Sequence, residues 1–292
     1  MNDQAARLRS MVRSQTVQLS KTPKSRILVI TSGKGGVGKT NLTVNLALAF
    51  AKRGCQVILF DADMGMANID VLLNISPPHN ISDVIAGHKT LADILYPVET
   101  NLRVVAGGSG IAQLASLAPA VLQQTVDKLA ELETQTDFLL IDTGAGISPN
   151  VLGFVLAAPE VIVMTTPEPT AIIDAYGILK TLDGQNREAR VFLLFNMVES
   201  ESEARKTFAK IFQIIERFLA IRPLFLGWIE KDGNVGRSVL QQQPFLRTYP
   251  YTLAAKRIHL LAGTLIAHGN NTPPNMPNPV GFFAKLGKIL FR

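Results

Sequence analysis

The fold of this chain is decided by residues 27–54, ILVITSGKGGVGKTNLTVNLALAFAKRG. Their apolar start predicts a buried strand over 27–32, and their apolar-periodic end, closed by Gly54, predicts a helix. Between the two lies GKGGVGKT, residues 33–40, which matches the phosphate-loop pattern G-x-x-x-x-G-K-S/T in the context that the pattern requires. The sequence therefore predicts a phosphate site at the first strand-to-helix turn.

Each residue type in this loop has a task in phosphate binding. The glycines let backbone N–H groups converge on phosphate oxygens, and the dipole of the following helix adds to the attraction. Lys39 is expected to reach the β and γ phosphates, and the Thr40 hydroxyl is expected to bind Mg²⁺. The nucleotide-binding residues predicted from the loop are Gly33, Lys34, Gly35, Gly36, Val37, Gly38, Lys39, Thr40 and Asn41.

Further apolar runs predict a sheet that is covered on both faces. They lie at 56–60, 102–106, 137–142, 160–166, 190–196 and 223–229. These runs are apolar throughout rather than alternating, which is typical of strands buried between two layers of helices. Helical patterns separate most of them, for example over 111–134, 170–183 and 201–220. The predicted fold class is α/β, with a doubly wound, mostly parallel sheet.

Acidic residues follow two of the predicted strands. A nucleotidase that uses Mg²⁺ needs a carboxylate at the end of a neighbouring strand, and Asp142 in FLLIDTGAG is in that position. Gly144 and Gly146 would let the next loop respond to a γ-phosphate, as switch segments do. Asp61 could bind the metal or could serve as a turn or capping residue. Asp63 is expected to orient the attacking water.

Lys34 gives the loop a second lysine, and KGGVGKT resembles the deviant phosphate loop of the MinD/ParA group of dimerising ATPases. The resemblance covers about residues 26–268, and it includes DADMGMANID and DTGAGI as switch segments, TTPEPTAIIDAYGILK and FNMV. It implies a phosphate-loop fold in which two chains enclose two ATP molecules with Mg²⁺. Lys34 would then act on the partner's nucleotide, as an arginine finger does, so that Lys34, Lys39 and Asp63 form the expected catalytic set.

Asn196, at the end of a predicted strand, is expected to bind the base. A side-chain amide can pair with the N6 and N7 edge of adenine, and the MinD/ParA group that this chain resembles has an asparagine at this place. A GTPase would be expected to show N-K-x-D here, whereas this chain has Met197 and Glu199, which favours ATP. The resemblance adds a second adenine wall, formed mainly by the backbone of Glu230, Lys231 and Asp232.

The basic charge lies at the two ends of the chain. The net charge is +6, but residues 1–26 hold six basic and one acidic side chain, and residues 281–292 hold three basic and no acidic ones. Residues 27–280 are therefore slightly negative. Because the body has no excess of positive charge with which to bind a phosphate backbone, no specific nucleic acid partner is expected.

The sequence divides into four parts. They are an N-terminal extension over 1–25, an ATPase domain over 26–269, a linker over 270–280 that is rich in proline and asparagine, and an amphipathic helix over 281–292. No stretch approaches the roughly 18 to 20 apolar residues of a spanning helix, and the N-terminus lacks the apolar segment of a secretory signal. The single cysteine, Cys55, fits a reducing cytoplasm.

The C-terminal stretch GFFAKLGKILFR has apolar side chains at helical spacing and basic ones toward the other face. This pattern is typical of a helix lying in the plane of an anionic membrane, although a helix docked on its own protein or on a partner shows the same pattern. The preceding linker favours the membrane. The predicted membrane-contacting residues are Phe282, Phe283, Leu286, Ile289, Leu290, Phe291, Lys285 and Lys288. One such helix should bind reversibly, and two on an ATP-bound dimer should bind by avidity.

The N-terminal stretch DQAARLR, residues 3–9, resembles the D-Q-A-x-x-L-R element of the FlhG subgroup of this family, although it could also be a disordered basic tail. The resemblance implies an ATPase at the cytoplasmic face of the membrane that regulates the number or placement of bacterial flagella and stimulates the GTPase FlhF. Basal-body C-ring proteins and a flagellar transcription regulator are further partners that it allows. The residues expected to contact FlhF are Asp3, Gln4, Ala5, Leu8 and Arg9.

Other functions share this fold. A ParA-like partitioning ATPase would use nonspecific DNA, and the near-neutral body argues against it. Another membrane-bound positioning ATPase of the MinD type remains an alternative. A reductase or metal-pump ATPase would need clustered cysteines, which the lone Cys55 does not supply.

Overall fold

The computed structural model describes residues 25–63, 68–108, 110–114, 117–270 and 281–290. Its centre is an eight-stranded sheet with the strand order β3-β4-β2-β5-β1-β6-β7-β8. The strands are β1 Arg26–Ser32, β2 Val57–Ala62, β3 Leu95–Glu99, β4 Leu102–Val105, β5 Phe138–Ala145, β6 Glu160–Thr165, β7 Arg190–Val198 and β8 Leu224–Glu230. All neighbouring pairs are parallel except β3 with β4. The predicted mostly parallel sheet is confirmed.

Helices cover both faces of the sheet. They are α1 Lys39–Ala51, α2 Ile69–Leu73, α3 Ile81–Ile85, α4 Leu91–Ile94, α5 Gly110–Leu114, α6 Pro119–Ala130, α7 Pro149–Ala157, α8 Pro169–Gln185, α9 Glu201–Phe218, α10 Gly233–Leu240, α11 Phe245–Thr248, α12 Leu253–Asn270 and α13 Phe282–Leu290. A 3₁₀ turn, Glu131–Thr134, follows α6. Alternate residues of β1 enter two separate apolar cores, with Val29 in one and Ile30 in the other, so the fold is doubly wound.

The strand order reverses at β1, and this reversal places the site. β1 lies between β5 and β6. Beyond β5 lie β2, β4 and the edge strand β3, and beyond β6 lie β7 and β8. In open parallel sheets ligands bind at the carboxyl ends of the strands where the order reverses. The loop after β1 lies at that point, and β5 and β2, which carry the acidic residues, are the next two strands on one side.

Two local features differ from the sequence prediction. β3 was not predicted, because it is short, half-exposed and contains Pro97, and it can join the sheet only as an antiparallel edge strand. The single helix predicted over 111–134 is wrong. A proline fits the first turn of a helix and disfavours a helical residue before it, so Pro119 begins a new helix, α6, and Ala118 is extended with ψ 144°.

The C-terminal helix α13 docks on the body between α6 and α7. Phe282, Phe283 and Leu286 are 1%, 0% and 1% exposed. The Phe283 ring lies 5.9 Å from that of Phe60, and the Phe282 ring lies 6.3 Å from that of Phe154. Of the two destinations that the amphipathic pattern allows, this structure shows the protein's own core, and these side chains meet a membrane only after release.

Several predicted segments lie outside the described part of the chain. These are residues 1–24 of the N-terminal extension with its expected partner contacts, residues 64–67 of the first predicted switch segment, residues 271–280 of the linker, and the end of the C-terminal helix with Phe291. Asn270 itself, which we had predicted as the first linker residue, ends α12.

Candidate functional site

The phosphate loop turns directly from β1 into α1. Gly36 and Gly38 have φ angles of 76° and 96°, a backbone region in which side chains with a Cβ are strained. Gly38 is also the N-cap of α1, and a Cβ there would lie 2.6 Å from Asn196 Nδ2. Glycine is therefore needed at Gly38 for its conformation and for the close approach of β7.

Asn196 reaches the loop from the end of β7. Its Nδ2 donates a hydrogen bond to the carbonyl of Val37 at 2.7 Å. This bond braces the loop against the sheet, a task that the sequence did not reveal because the two residues are 159 positions apart. The structure thus brings Asn196 into the site, and its pairing with adenine stays a prediction.

Asp142 is held at the base of the loop by two hydroxyl groups. Thr40 Oγ1 donates to its Oδ2 at 2.7 Å, and Thr43 Oγ1 donates to its Oδ1 at 2.9 Å. Asp61 lies directly beside it, because the register of β2 and β5 pairs these two residues. Both carboxyl groups are buried, with Asp61 2% and Asp142 1% exposed. Two strands and the start of α1 thus place four oxygen-bearing side chains together.

Burial dominates the ionisation of this cluster. It raises the pKa of Asp61 to about 8, and the negative charges of Asp142 and Asp63 act in the same direction. Burial also raises the pKa of Asp142 to about 6, although the hydroxyls of Thr40 and Thr43 and the charge of Lys39 oppose it. The pKa of Lys39 is lowered by burial, against the opposing effect of the two nearby acids Asp142 and Asp63. A bound cation would favour the ionised carboxylates.

The donor set fits a magnesium ion. Thr40, Asp61 and Asp142 offer a hydroxyl and carboxylate oxygens, the ligands that Mg²⁺ takes in proteins, and they meet at one end of the loop. Asp61 also accepts a hydrogen bond from the Asp63 backbone N–H at 3.0 Å, so the turn role that its sequence position allowed is present too.

The loop opens into a cavity of about 540 Å³. Its lining residues are Gly35, Gly36, Gly38, Lys39, Thr40, Asn41, Asp63, Asn68, Val71, Leu72, Ala145 and Val239. Asp63 also lies against the second switch segment, since a Cβ on Gly144 would be 3.3 Å from its Oδ1. Asn68 and Ala145 belong to the two predicted switch segments without having been named as site residues, and sequence reasoning missed Val71, Leu72 and Val239. No local signal points to Val239, which is far from the loop in sequence.

The loop predicted as a second adenine wall does not line this cavity. Glu230 pairs with Arg257 at 2.6 Å and accepts a hydrogen bond from the Trp228 indole. Asp232 caps α10 by accepting from the Asn234 N–H at 2.9 Å. These side chains have structural partners, and a backbone contact of Glu230, Lys231 and Asp232 with adenine stays a prediction.

Lys34 does not line the cavity that Lys39 lines. Its Nζ lies 2.5 Å from Glu168 Oε2 and 3.3 Å from Thr170 Oγ1, both at the start of α8. The two charged side chains are 41% and 63% exposed. The second lysine of the loop is therefore held by its own chain at the protein surface.

Large apolar side chains are exposed around this edge of the sheet. Val71, Ile147, Ile173, Val239 and Leu240 are 51%, 58%, 68%, 42% and 86% exposed. Ile147 belongs to the second switch segment, and Ile173 follows Glu168 and Thr170 on α8. Grouped apolar exposure of this kind indicates a contact surface.

No helix among the described residues has the length and apolar character needed to cross a bilayer.

Comparisons with known proteins agree with this geometry. The family described as "ParA: NUBPL iron-transfer P-loop NTPase" matches residues 24–265. The "Antiactivator FleN" of Pseudomonas aeruginosa is 37% identical over 256 residues, which cover 88% of this chain and 90% of that protein. The "Flagellum site-determining protein YlxH" of Helicobacter pylori is 34% identical over 302 residues, which cover 99% of this chain and 100% of that protein.

Among solved structures, the cell division ATPase MinD of Pyrococcus furiosus superposes with a TM-score of 0.70 and 25% identity. The match covers 84% of this chain and 99% of that one. MinD of Pyrococcus horikoshii, solved with Mg-ADP, gives a TM-score of 0.69 at 24% identity, covering 84% and 97%.

Proposed function

The chain belongs to the ParA/MinD family of P-loop ATPases, and from this premise we propose that it regulates the number or placement of bacterial flagella as an ATP-dependent dimer at the cytoplasmic membrane. As a member of the family it hydrolyses ATP to ADP and phosphate. The observation that carries the flagellar proposal is the extent of the likeness to the flagellum site-determining protein, which covers 99% of this chain. That likeness includes both ends, whereas the MinD structure covers 84%.

The site supports a division of labour in hydrolysis. Lys39 and the loop backbone bind the β and γ phosphates, and Thr40, Asp61 and Asp142 hold Mg²⁺. The ion, when bound, neutralises negative charge on the phosphates. Asp63 orients the attacking water from its place in the cavity beside the second switch segment.

Asp63→Ala should leave ATP binding within about threefold and lower turnover about 100-fold or more, because it removes the group that orients the water. Equilibrium titration with ATP and phosphate-release assays measure the two quantities. Asp127→Ala, an exposed aspartate on α6, is the matched control and should change neither. Undiminished turnover in Asp63→Ala would assign the water-orienting role to another group.

Dimerisation is supported by the two features at the mouth of the site. Lys34 lies at the surface, where a second copy can meet it, and five large apolar side chains surround the same edge. Burying those side chains between two copies would remove them from water. Each Val, Ile or Leu side chain that is fully buried contributes about 1.5 to 3 kcal/mol, so they supply a driving force for association.

Membrane association is proposed to use α13 after its release from the body. Its groove and a bilayer both remove the same apolar side chains, Phe282, Phe283 and Leu286, from water. Because both environments remove the same side chains from water, the free energies of the docked and the membrane-bound helix differ by much less than the free energy gained by burying those side chains in either one. A nucleotide-driven change in the body can then decide between them, and a dimer with two helices gains avidity.

Lys285→Glu combined with Lys288→Glu should weaken ATP-dependent binding to vesicles of phosphatidylglycerol and phosphatidylethanolamine by at least about 30-fold. Each basic side chain near an anionic surface contributes about 1 kcal/mol, and 1.4 kcal/mol corresponds to a tenfold change. Both lysines lie at the open side of the docked helix, beside Arg187, so the buried face is unchanged. Co-sedimentation with vesicles measures the effect.

The matched control is Lys206→Glu with Lys210→Glu, which makes the same change in net charge on the exposed face of α9. It should retain vesicle binding. An equal loss in both double variants would mean that net charge, and not the C-terminal helix, determines membrane binding.

The N-terminal extension is proposed to stimulate FlhF through Asp3, Gln4, Ala5, Leu8 and Arg9. In the vesicle experiment, deletion of residues 1–10 provides the reciprocal comparison. It should leave vesicle binding intact and abolish stimulation of the FlhF GTPase, whereas the lysine double variant should do the reverse. C-ring proteins and, by the name Antiactivator of the Pseudomonas relative, a transcription regulator are further proposed partners.

A further inference from the structure

The first turn of α13 is capped by a carboxylate from a distant part of the chain. Glu133, in the 3₁₀ turn after α6, accepts hydrogen bonds from the Phe282 N–H at 3.2 Å and the Phe283 N–H at 2.9 Å. The first N–H groups of a helix have no partner within the helix, and a negative charge there is favourable. Because Glu133 lies 149 positions before Phe282, this cap joins the C-terminal helix to the body.

The fit around this cap is close. A Cβ on Gly281 would lie 2.9 Å from Glu133 Oε2 and 3.1 Å from Oε1, so the carboxylate would have to shift to accommodate it. Further along the helix, a Cβ on Gly287 would lie 3.0 Å from Val126 Cγ2. Both contacts are on the side of the groove formed by α6 and its 3₁₀ turn.

The opposite side of the groove is α7, which directly follows the second switch segment. Phe282 packs on Phe154, and a Cβ on Gly153 would lie 3.2 Å from Leu290 Cδ2. The N-cap of α7 is Ser148, six residues after Asp142 along the chain. The docked helix α13 therefore contacts α6, which precedes β5, and α7, which follows the second switch segment. A movement of α7 relative to α6 would separate these two sets of contacts.

From this geometry we infer that Glu133 is the clasp that holds α13 on the body and sets how readily the helix is released. The apolar contacts are non-directional, whereas the two hydrogen bonds fix the start of the helix at one place. The inference rests on the proposed function, since it names the group that restrains the membrane-binding helix. Glu133 acts as a positioning residue and touches no nucleotide.

The test uses the full-length chain without nucleotide and compares Glu133→Ala with Glu131→Ala. Glu131 lies in the same 3₁₀ turn and is exposed, and among the described residues no hydrogen bond or ion pair joins its side chain to α13, so it controls for the loss of one negative charge. Amide hydrogen exchange of residues 284–290 should be about 5- to 30-fold faster in Glu133→Ala, which is the range for loss of a helix cap, and unchanged in Glu131→Ala. Binding to phosphatidylglycerol vesicles without ATP should rise in the same variant.

Two further variants, Gly281→Ala and Glu133→Gln, test the same contact. Gly281→Ala places a Cβ against the carboxylate and should also speed exchange. In the Glu133→Ala background the clash is gone, so Gly281→Ala should add little, and the two changes are non-additive. Glu133→Gln keeps one acceptor oxygen without the charge and should fall between wild type and Glu133→Ala.

The outcomes separate the inference from the proposed function. Equal exchange in Glu133→Ala and Glu131→Ala would overturn the clasp, as would strictly additive effects of Glu133→Ala and Gly281→Ala. Faster exchange in Glu133→Ala, together with a wild type that does not bind vesicles in ATP, would support the clasp and overturn the membrane role. Unchanged thermal melting of the body confirms that the variants act on the helix alone.

Discussion

Lys39→Ala should lower the affinity for ATP about 30-fold or more and abolish hydrolysis. Lys39 is 8% exposed and lines the cavity above the two buried acids, so its ammonium group is held where the phosphates bind. Truncating one partner of a buried charge pair costs about 2 to 5 kcal/mol, which corresponds to a factor of about 30 or more. Without this ammonium group, only the loop backbone and the metal would offset the repulsion between the phosphates and the neighbouring carboxylates.

Isothermal titration with ATP and a phosphate-release assay measure this effect. Lys210→Ala, which removes an exposed lysine of α9, is the matched control and should leave both quantities unchanged. ATP affinity within about twofold of wild type in Lys39→Ala would mean that the loop backbone and the metal bind the phosphates without it. Thermal melting distinguishes a loss of binding from a loss of fold.

The features whose positions in the fold could be predicted from the sequence are those with local causes. The strand, loop and helix around residues 27–54 were predictable because positive-φ glycines, an apolar run and a helix stop occur in one stretch. Asp142 was placed correctly because a carboxylate after a buried parallel strand must emerge at the carboxyl edge of the sheet. For Asp61 the sequence allowed either a metal-binding or a turn role. The structure shows the hydrogen bond of the turn role, and it places Asp61 beside Asp142, where it could also bind a metal.

The parts that the sequence did not show depend on partners far along the chain. Val239 lines the cavity from α10, and Asn196 braces a carbonyl 159 positions away. Nothing local to these residues indicates such contacts. The edge strand β3 was missed for a different reason, since half-exposed residues and Pro97 give little strand signal.

The C-terminal helix shows what apolar periodicity in a sequence cannot predict. An apolar face at helical spacing requires an apolar environment, and a protein groove and a bilayer satisfy that requirement equally. The pattern therefore identified the face correctly and could not identify what covers it. Glu133, which decides the docked position, carries no sequence signal because a glutamate after a helix is ordinary.

Lys34→Ala should leave ATP binding to the monomer within about threefold, abolish ATP-dependent dimerisation, and lower hydrolysis about 10³-fold. In the structure Lys34 pairs with Glu168 on the surface and does not line the phosphate cavity, so its own nucleotide site keeps its contacts. Its charge is instead available to a partner's phosphates. A charge supplied in trans to a transferring phosphoryl group accelerates the reaction by 10³-fold or more in related phosphate-loop enzymes.

Glu168→Gln tests the same geometry with an opposite and smaller effect. It removes the cis partner of Lys34, and because an exposed ion pair contributes only about 0 to 1 kcal/mol, dimerisation should shift to lower ATP by at most about fivefold. Size-exclusion chromatography with light scattering measures both variants, and Lys206→Ala on α9 is the control for Lys34→Ala. Dimerisation of Lys34→Ala at the wild-type ATP concentration would show that apolar contacts alone drive association, and would leave the second lysine of the loop without a role in trans.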